Sequence, residues 1–290
     1  MIVKTTGLTK RYGTHTALDG VDLAVPEGSV YGLVGPNGAG KTTLLALLAG
    51  LRKPTAGELT IAVAKRKVAL LPDTPQFDPW LTGREVVELA RGLMGVAADP
   101  DRVLADAGLA DAANRRVGGY SRGMLQRLGL AATIVGEPEV LLLDEPASAL
   151  DPAGRREVLD LIARMRGHAT VILSSHILGD VQEVCDTVGV LRAGRLLFQG
   201  PMANLLVGRA VPAYRIKLRP PTDGVAAALR ALPWVTGVEP DGPDTLRCNV
   251  SSLAEAESRL PGALAEAGAR VVSLAPLAPD LEDVFLELTS

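Results

Sequence analysis

Continuous apolar runs alternate with amphipathic segments along the first two thirds of the chain. The apolar runs occupy residues 30–34, 140–143 and 169–173, and turn or polar residues bound each of them. Runs of this length are typical of parallel strands that are covered on both faces. Shorter strands are predicted at residues 2–5, 21–25, 57–63 and 67–71. The pattern therefore predicts an α/β core with a parallel sheet.

Helical segments are predicted between these strands. Thr82 and Glu85 have the spacing of a capping box, and the apolar residues that follow, through Leu93, recur at helical intervals. The dipeptides Asp99-Pro100 and Asp151-Pro152 each have the composition of an N-cap and a first helical residue. A mostly helical insert, about residues 73–136, is expected between two parts of the core.

The pattern changes past Gly208. Strands are predicted at residues 214–218, 245–250 and 269–274, with helical segments at 225–229 and around Leu260 and Leu264. The chain is therefore expected to contain one domain at residues 1–207 and a small α+β domain at 212–290. No catalytic constellation is visible in the second domain, which favours a packing or dimerisation appendage.

Composition narrows the class of protein. The 290 residues are 47% apolar and 22% charged, as expected for a soluble globular protein. The net charge of −3 gives no electrostatic case for nucleic acid as the main partner. No apolar run approaches the roughly 18 residues of a spanning helix, and the first residues lack the apolar core of a signal peptide. We expect a cytoplasmic protein in which Cys185 and Cys248 are reduced and structural.

Residues 35–42 read Gly-Pro-Asn-Gly-Ala-Gly-Lys-Thr and lie between a predicted strand and a predicted helix. Glycines let backbone N–H groups converge on phosphate oxygens, and the helix adds the positive end of its dipole. Lys41 would reach the β- and γ-phosphates, and the Thr42 hydroxyl would bind Mg²⁺. A plain glycine-rich turn is the alternative, but a turn requires neither side chain. The motif predicts a nucleoside triphosphate without choosing among ATPases, GTPases and kinases.

Polar residues follow the other two apolar runs. Asp144 and Glu145 lie at the carboxyl end of one predicted strand, where ligands of parallel sheets bind. Asp144 is the expected magnesium partner and Glu145 a candidate base for the attacking water. Solvated acids at a capped strand end are the alternative. His176 follows the other strand and could donate to a phosphate, although a lone His is more often an ordinary polar residue.

Further motifs follow this loop along the chain. Tyr-Ser-Arg-Gly-Met at 120–124 precedes Leu-Asp-Glu-Pro at 143–146, and Ser-Ala-Leu-Asp at 148–151 and Ser-His at 175–176 follow. With the phosphate loop in front, residues 1 to about 207 resemble the ATP-binding cassette (ABC) family of transporter ATPases. The resemblance implies a P-loop NTPase parallel sheet core with an antiparallel β-subdomain and the helical insert.

The resemblance also implies a role for each motif residue. It implies that Tyr12, which could equally be a half-buried aromatic at a strand end, stacks on adenine. Phosphate and magnesium contacts are implied for Gly35, Asn37, Gly38, Ala39, Gly40, Lys41, Thr42 and Thr43. Asp144 would support the metal, Glu145 would act as general base, and His176 would contact the γ-phosphate. Ser121 and Gly123 would act on the ATP of a partner subunit, with Asp151 near the same seam.

The chain departs from the family pattern in three places. Arg122 and Met124 replace one Gly and the Gln of the usual signature, as in one branch of exporter ATPases. Asp73 stands where the family usually offers a Gln to magnesium, which makes it a candidate metal ligand, and Gln76 follows three residues later. The segment at 57–71 is shorter than usual. The end of the chain, residues 281–288, resembles the tail of exporter ATPases that are encoded apart from their membrane subunit.

The combined interpretation is the ATPase subunit of an export-type transporter, using ATP and Mg²⁺. It would lie on the inner face of the cell membrane through a separate integral membrane permease and would close as a homodimer. A cassette ATPase of DNA repair or chromosome structure is the first alternative. Such proteins place long coiled coils between the phosphate loop and the signature, whereas only 80 positions, without a heptad run, separate Lys41 from Ser121. Translation-associated relatives carry two cassettes in one chain. A non-hydrolysing binding module is a further alternative, against which Glu145 argues.

Phe77 and Trp80 lie in a proline-containing loop of a chain with only 3% aromatic residues. Aromatic anchors are enriched in the cores of protein interfaces. We therefore expect Phe77 and Trp80 to line a groove that receives a cytoplasmic helix of the permease. The alternative is that both side chains fill the seam between the insert and the core.

Overall fold

A computed structural model of the chain describes residues 1–148, 150–206, 212–220 and 223–277. The chain divides into two compact units, one of residues Met1–Asn204 and one that begins at Leu205. Each unit has hydrophobic clusters of its own. The predicted segment at residues 281–288 lies outside the described residues.

The strands of the first unit are β1 (Val3–Tyr12), β2 (His15–Val21), β3 (Ala24–Val25), β4 (Val30–Val34), β5 (Ala56–Ile61), β6 (Val68–Leu71), β7 (Val140–Asp144), β8 (Thr170–Ser175), β9 (Thr187–Arg192) and β10 (Arg195–Pro201). Its helices are α1 (Lys41–Leu48), α2 (Gly83–Met94), α3 (Pro100–Asp106), α4 (Arg122–Ile134), α5 (Pro152–Arg164) and α6 (Leu178–Val184). Helix α7 (Met202–Leu206) follows β10.

The main sheet has the order β10-β9-β4-β8-β7-β6. Strands β6, β7, β8, β4 and β9 are parallel, and β10 is antiparallel to β9. Every residue of β4, β7 and β8 is buried, which confirms that their apolar runs are covered on both faces. In register, Val34 pairs with Ser175 and Asp144 pairs with Ser174. The carboxyl ends of these three strands therefore meet at one edge of the sheet.

A smaller antiparallel sheet contains β2, β1 and β3 in that order, with β5 also paired to β1. Buried apolar residues of this sheet and of α1 belong to one cluster, which includes Leu8, Leu18 and Leu45. Strand β1 is longer than predicted, because its second half pairs with β2 in a hairpin that ends at Tyr12. The strand predicted at residues 21–25 is interrupted, since the Thr5 hydroxyl accepts from the Leu23 N–H at 2.8 Å.

Three helices, α2, α3 and α4, lie between β6 and β7, as the predicted helical insert requires. The predicted capping box is present at the start of α2. The Thr82 hydroxyl accepts from the Glu85 N–H at 3.2 Å, and the Glu85 carboxylate accepts from the Thr82 N–H at 2.7 Å. Apolar residues of the three helices form their own cluster, centred on Val87, Leu104 and Leu128.

The second unit contains β11 (Ala213–Leu218), α8 (Asp223–Arg230), β12 (Val235–Pro240), β13 (Thr245–Val250), α9 (Leu253–Glu266) and β14 (Val271–Leu277). Its antiparallel sheet has the order β12-β13-β11-β14. This βαββαβ order is the ferredoxin-like arrangement. The sequence analysis predicted only the α+β class. Strand β12 is an addition to the predicted elements.

Both cysteines are buried free thiols, one in each unit. Burial raises the pKa of the Cys185 thiol far above its usual range, and it raises the pKa of Cys248 to about 11. Neither thiol is therefore a thiolate near neutral pH. Among the helices of the described residues, none is long and apolar enough to cross a membrane.

Candidate functional site

A cavity of about 320 Å³ lies beside the loop that joins β4 to α1. The loop and the start of the helix contribute Asn37, Gly38, Ala39, Gly40, Lys41, Thr42 and Thr43 to its wall. The remaining wall residues are His15, Ala17, Asp73 and Glu145. The structure therefore brings most of the predicted phosphate-loop residues together with one predicted acid directly after β7 and one from the loop after β6.

The backbone of this loop requires glycine at two positions. A Cβ atom on Gly35 would lie 2.2 Å from the backbone oxygen of Leu191, and Gly40 has a φ of 107°. Gly40 is also the N-cap of α1, and no side chain caps that helix. The N–H groups of the first turn and the positive end of the helix dipole are therefore available to anionic oxygens.

Lys41 is held under the loop rather than in solvent. Its side chain is only 6% exposed, and its Nζ donates to the backbone oxygen of Gly35 at 2.7 Å. The same Nζ lies 3.3 Å from Oε1 of Glu145. A buried ammonium group needs such partners, because removing a charge from water without them is costly. The contacts hold a positive charge at the wall of the cavity.

Glu145 connects Lys41 to His176. Its Oε2 lies 2.8 Å from Nδ1 of His176, while Oε1 faces Lys41. The backbone of Glu145 has a φ of 49°, which costs a residue with a side chain about 1–2 kcal/mol. Hydrogen bonds from its N–H to the hydroxyl and carbonyl oxygens of Ser174, at 3.0 and 3.2 Å, stabilise that conformation. The carboxylate is thereby directed toward Lys41 and His176.

Asp144 lies at the end of β7 and is buried, and it is not part of the cavity wall. Its Oδ1 accepts a hydrogen bond from the Ser174 hydroxyl at 2.5 Å. Ser174 thus contacts both acids, a role that the sequence analysis did not assign. Because the register of β7 and β8 sets these contacts, only a predicted strand pairing could have revealed them.

The oxygen donors at the site fit Mg²⁺, which prefers hydroxyl, carboxylate and water oxygens. The Thr42 hydroxyl and the Asp73 carboxylate belong to residues of the cavity wall, and Asp144 is the residue directly before the wall residue Glu145. Within the described residues, no group of three or more His, Cys, Asp and Glu residues could hold a metal ion by itself. A bound magnesium would therefore also need oxygens from phosphate and water. Gln76 lies outside this wall and lines a different surface.

Tyr12 ends β1 at the tip of the hairpin and is exposed. It pairs in register with His15, which belongs to the cavity wall. The Lys10 Nζ lies 5.0 Å from the centroid of the Tyr12 ring, within cation–π range. The predicted adenine-stacking residue is therefore near the cavity but outside its wall. His15 and Ala17 were missed by the sequence analysis, because neither belongs to a motif.

Ser121, Gly123 and Asp151 do not belong to the cavity wall. Ser121 is the N-cap of α4, where its hydroxyl accepts from the Met124 N–H at 3.2 Å. Asp151 is the N-cap of α5 and accepts from the Gly154 N–H at 3.0 Å. The two helix starts are close, since a Cβ on Gly123 would lie 3.4 Å from a methyl group of Leu150. These signature residues form a separate cluster.

An apolar groove of about 480 Å³ lies along β6 and the helical insert. Its wall is formed by Ala49, Leu51, Val68, Ala69, Leu70, Leu71, Pro72, Pro75, Gln76, Phe77, Met94, Gly129, Ala132 and Thr133. Phe77 lines this groove and also packs on the insert cluster. Trp80 does not line this groove and is 73% exposed. The turn after Asp78, whose carboxylate accepts from the Trp80 N–H at 3.0 Å, leaves the indole in solvent.

The chain was compared with known protein families. Residues 18–148 match the family described as ABC transporter. This range begins in β2 and ends after the two acids, so it contains the phosphate loop, the helical insert and the signature.

Several relatives match over most of their length. The chain is 34% identical to the ABC transporter ATP-binding protein YxlF of Bacillus subtilis, with 97% of each chain covered. It is 38% identical to the daunorubicin resistance ATP-binding protein DrrA3 of Streptomyces coeruleorubidus, covering 98% of this chain and 94% of that protein. It is 37% identical to the bacitracin transport ATP-binding protein BcrA of Bacillus licheniformis, covering 70% and 71%.

Solved structures agree with these relatives. A dimeric bacterial ABC transporter cassette is 25% identical and has a TM-score of 0.64, with 69% of this chain and 98% of that chain covered. The same cassette in a post-hydrolysis state, bound to ADP and phosphate, is 26% identical with a TM-score of 0.63 and the same coverage.

Proposed function

The chain belongs to the ABC transporter family of ATP-binding proteins, and we propose that it drives a separate export permease by closing as a homodimer around ATP. ATP binding and hydrolysis are the activities of this family. The daunorubicin resistance and bacitracin transport relatives support export as the direction of transport. Neither relative identifies the molecule that this chain helps to move.

One observation carries the proposal for hydrolysis. Lys41, Glu145 and His176 form a continuous chain of contacts, and the first two belong to the wall of the phosphate-loop cavity. A base for water, a positive charge for the phosphates and an imidazole for the transferred group are thus within one small volume. Phosphoryl transfer asks the protein for this kind of positioning and charge stabilisation.

The residue roles follow from this arrangement. The β- and γ-phosphates lie against the N–H groups of the loop and of the first turn of α1, where the dipole favours negative charge. Lys41 then exchanges its contacts with Gly35 and Glu145 for phosphate oxygens. Glu145, released from Lys41, accepts a proton from the water that attacks the γ-phosphate. The products are ADP and inorganic phosphate, and His176 donates to the departing phosphate.

We propose that Thr42 and Asp144 would hold Mg²⁺ at this site, with Asp73 as a further candidate ligand from the cavity wall. When bound, Mg²⁺ neutralises charge on the phosphate oxygens. Asp144 is kept in place by Ser174, whose hydroxyl occupies one of its oxygens. The second oxygen of Asp144 is the one that remains for a metal or its water.

The homodimer accounts for the separate signature cluster. Ser121 and Gly123 do not belong to the wall of their own chain's cavity, so a second copy would have to present them to the nucleotide. The Ser121 hydroxyl and the N–H groups in the first turn of α4 would suit contact with phosphate oxygens. Asp151 would lie at the same seam. This shared site is the reason that hydrolysis would depend on dimer closure.

The apolar groove supports the proposed permease partner. Its wall joins β6 to the helical insert, and the chain segment that contains Asp73 leads directly into it. A permease helix seated there would be adjacent to a residue of the nucleotide cavity. We further propose that residues 1–207 form the ATPase domain and that residues 212–290 are an accessory domain for assembly or regulation.

Replacing Glu145 by Gln tests the proposed function. Glu145→Gln keeps the shape of the side chain but removes the base, so ATP should still bind while turnover falls by about 100-fold or more. With ATP, the mass in solution should correspond to a stable dimer. Phosphate release and light scattering measure the two effects.

Glu139→Gln is the matched control, because Glu139 is an exposed acid directly before β7, at the opposite end of the strand. Glu139→Gln should change neither the turnover rate nor the mass in solution with ATP. Near-normal turnover in Glu145→Gln would show that Glu145 is not the base. Loss of turnover without an ATP-dependent dimer would contradict the closing homodimer.

A further inference from the structure

A buried ion pair lies outside the nucleotide cavity and outside every motif of the sequence analysis. Arg155, on α5, donates from Nε to Oδ1 of Asp180, on α6, at 2.6 Å, and its Nη2 lies 2.5 Å from the same oxygen. Asp180 is only 3% exposed, whereas Arg155 is partly exposed. Burial raises the pKa of Asp180, and the Arg155 guanidinium opposes that rise. Arg155 is therefore the group that favours a charged Asp180 inside the protein.

Each member of the pair lies one turn beyond a site segment. The Arg155 N–H donates to the backbone oxygen of Asp151 at 2.9 Å, so Arg155 belongs to the first turn after the proposed seam residue. Asp180 lies in the first turn of α6, four residues after His176. A contact between these two turns fixes the spacing between the segment that ends at Asp151 and the segment that contains His176.

Both segments have further contacts with the reaction site. His176 contacts Glu145 through Nδ1, at 2.8 Å. On the other side, a methyl group of Leu150 lies against Gly123, next to the proposed signature residue Ser121. The ion pair is thus the middle of a path from the Glu145 and His176 pair to the start of α4. Glu145 is also close enough to Asp180 to raise its pKa through charge repulsion.

Stability alone does not account for a charged pair at this position. A buried ion pair is often no more stabilising than apolar residues of the same volume, because desolvation offsets the attraction. Its advantage is a fixed direction and distance, which the planar guanidinium provides through two N–H groups.

We propose that Arg155 and Asp180 are positioning residues for ATP hydrolysis, which hold the His176 and Glu145 pair in register with the segment at Asp151. The inference rests on the proposed function, since it assigns these residues to the same reaction. Neither side chain belongs to the wall of the nucleotide cavity. Their loss should therefore slow the chemical step and leave ATP binding unchanged.

The test is steady-state hydrolysis by the full-length chain carrying Asp180→Asn or Arg155→Lys. Asp180→Asn removes the charge and keeps the shape, and Arg155→Lys keeps the charge but cannot donate from two nitrogens. We expect kcat to fall about tenfold or more in both variants, as for other small misplacements of catalytic groups. The KM for ATP should stay within about twofold, because ground-state contacts are unchanged.

The control is an ion pair of the same residue types in the helical insert, Arg84 with Asp101, whose side chains are partly or fully exposed. Arg84→Lys and Asp101→Asn should leave kcat unchanged. The thermal midpoint shows whether each variant is folded. Dividing each hydrolysis rate by the titrated number of ATP sites gives a rate per competent site. If Asp180→Asn does not fold, Arg155→Lys decides the question alone.

The possible outcomes are distinct. A kcat within twofold of the parent in the folded variants would overturn the positioning role while leaving the ATPase function intact. A rise in KM equal to the fall in kcat/KM would show that the pair supports binding instead, which also contradicts the inference. If the parent chain shows no ATP hydrolysis that depends on Glu145, the proposed function itself fails.

Discussion

Ser174 shows how the acids of the site depend on a residue without a role in any motif. Its hydroxyl donates to Asp144 and accepts from the N–H of Glu145, so one side chain fixes two neighbouring acids. The Glu145 backbone needs such contacts, because its positive φ is unfavourable for a residue with a Cβ atom. Ser174 therefore links the end of β8 to the direction of the Glu145 carboxylate, the proposed base.

Ser174→Ala should lower kcat more than it lowers affinity for ATP. Without the hydroxyl, a buried carboxylate loses a donor and the Glu145 N–H retains only the longer bond to the Ser174 carbonyl oxygen. A buried group left without its partner costs about 1–3 kcal/mol, so a lower thermal midpoint is also expected. Hydrolysis kinetics, ATP titration and thermal unfolding measure the three quantities.

Ser29→Ala is the control for that substitution. Ser29 is also buried, and its hydroxyl donates to the backbone oxygen of Pro26 at 2.7 Å, directly before β4 and thus at the opposite end of that strand from the phosphate loop. It should lower the midpoint by a similar amount without changing kcat. Equal effects of both variants on kcat would show that Ser174 acts only through stability.

Site residues that belong to one short sequence motif could be predicted from the sequence. The phosphate loop, with Lys41 and Thr42, and the acids after β7 follow from composition and spacing within one short segment. Ser174, His15 and the Arg155 and Asp180 pair could not be predicted in this way. Their contacts join segments that are distant in the chain, and the sheet register and helix packing that bring them together are not encoded in any short pattern.

Some strands can be predicted from a short sequence pattern, and others depend on pairing with a distant segment. Strands that are covered on both faces, such as β4 and β7, give continuous apolar runs that are easily recognised. The second half of β1 is polar and partly exposed, and β12 contains Gly237 and ends at Pro240. Such sequences resemble loops, and only pairing with a neighbouring strand makes them strands. The second half of β1 was missed because its residues are polar, and β12 was missed because it is an edge strand that contains Gly237 and Pro240.

The groove at β6 leads to a prediction for its two aromatic neighbours. Trp80→Ala should weaken co-purification with the permease and leave the thermal midpoint unchanged, because the indole is exposed. Phe77→Ala should weaken the same interaction but also lower the midpoint, since Phe77 packs partly on the insert cluster. Truncating a buried aromatic costs about 3–5 kcal/mol, and a partly buried one less. Basal ATPase activity should persist in both.

Leu197→Ala is the control for the groove variants. Leu197 is an exposed apolar residue on β10, at the opposite edge of the main sheet from β6, and it should affect neither permease binding nor the midpoint. Unchanged permease binding in both Phe77→Ala and Trp80→Ala would place the docking surface elsewhere.

At the scale of the whole molecule, the ferredoxin-like unit has its own sheet and its own apolar cluster, formed by residues such as Tyr214, Leu229 and Leu260. Its α+β class was predictable from alternating and helical periods, whereas its strand order was not, because βαββαβ patterns do not by themselves fix which strands pair. Every residue assigned to nucleotide contact lies in the first unit. Nucleotide binding is therefore expected to belong to that unit alone.

Deleting residues 211–290 tests this division. The truncated chain should bind ATP with an affinity within about twofold of the full chain, the usual effect of changes far from a site. Any loss should appear in the stability of the Glu145→Gln dimer or in the response to the permease, since the second unit is proposed to serve assembly or regulation. Residues 212–290 expressed alone are the complementary control and should not bind ATP. A truncated chain that is folded by circular dichroism and thermal unfolding but cannot bind ATP would show that the nucleotide site needs the second unit, and the proposed domains would then have to be redrawn.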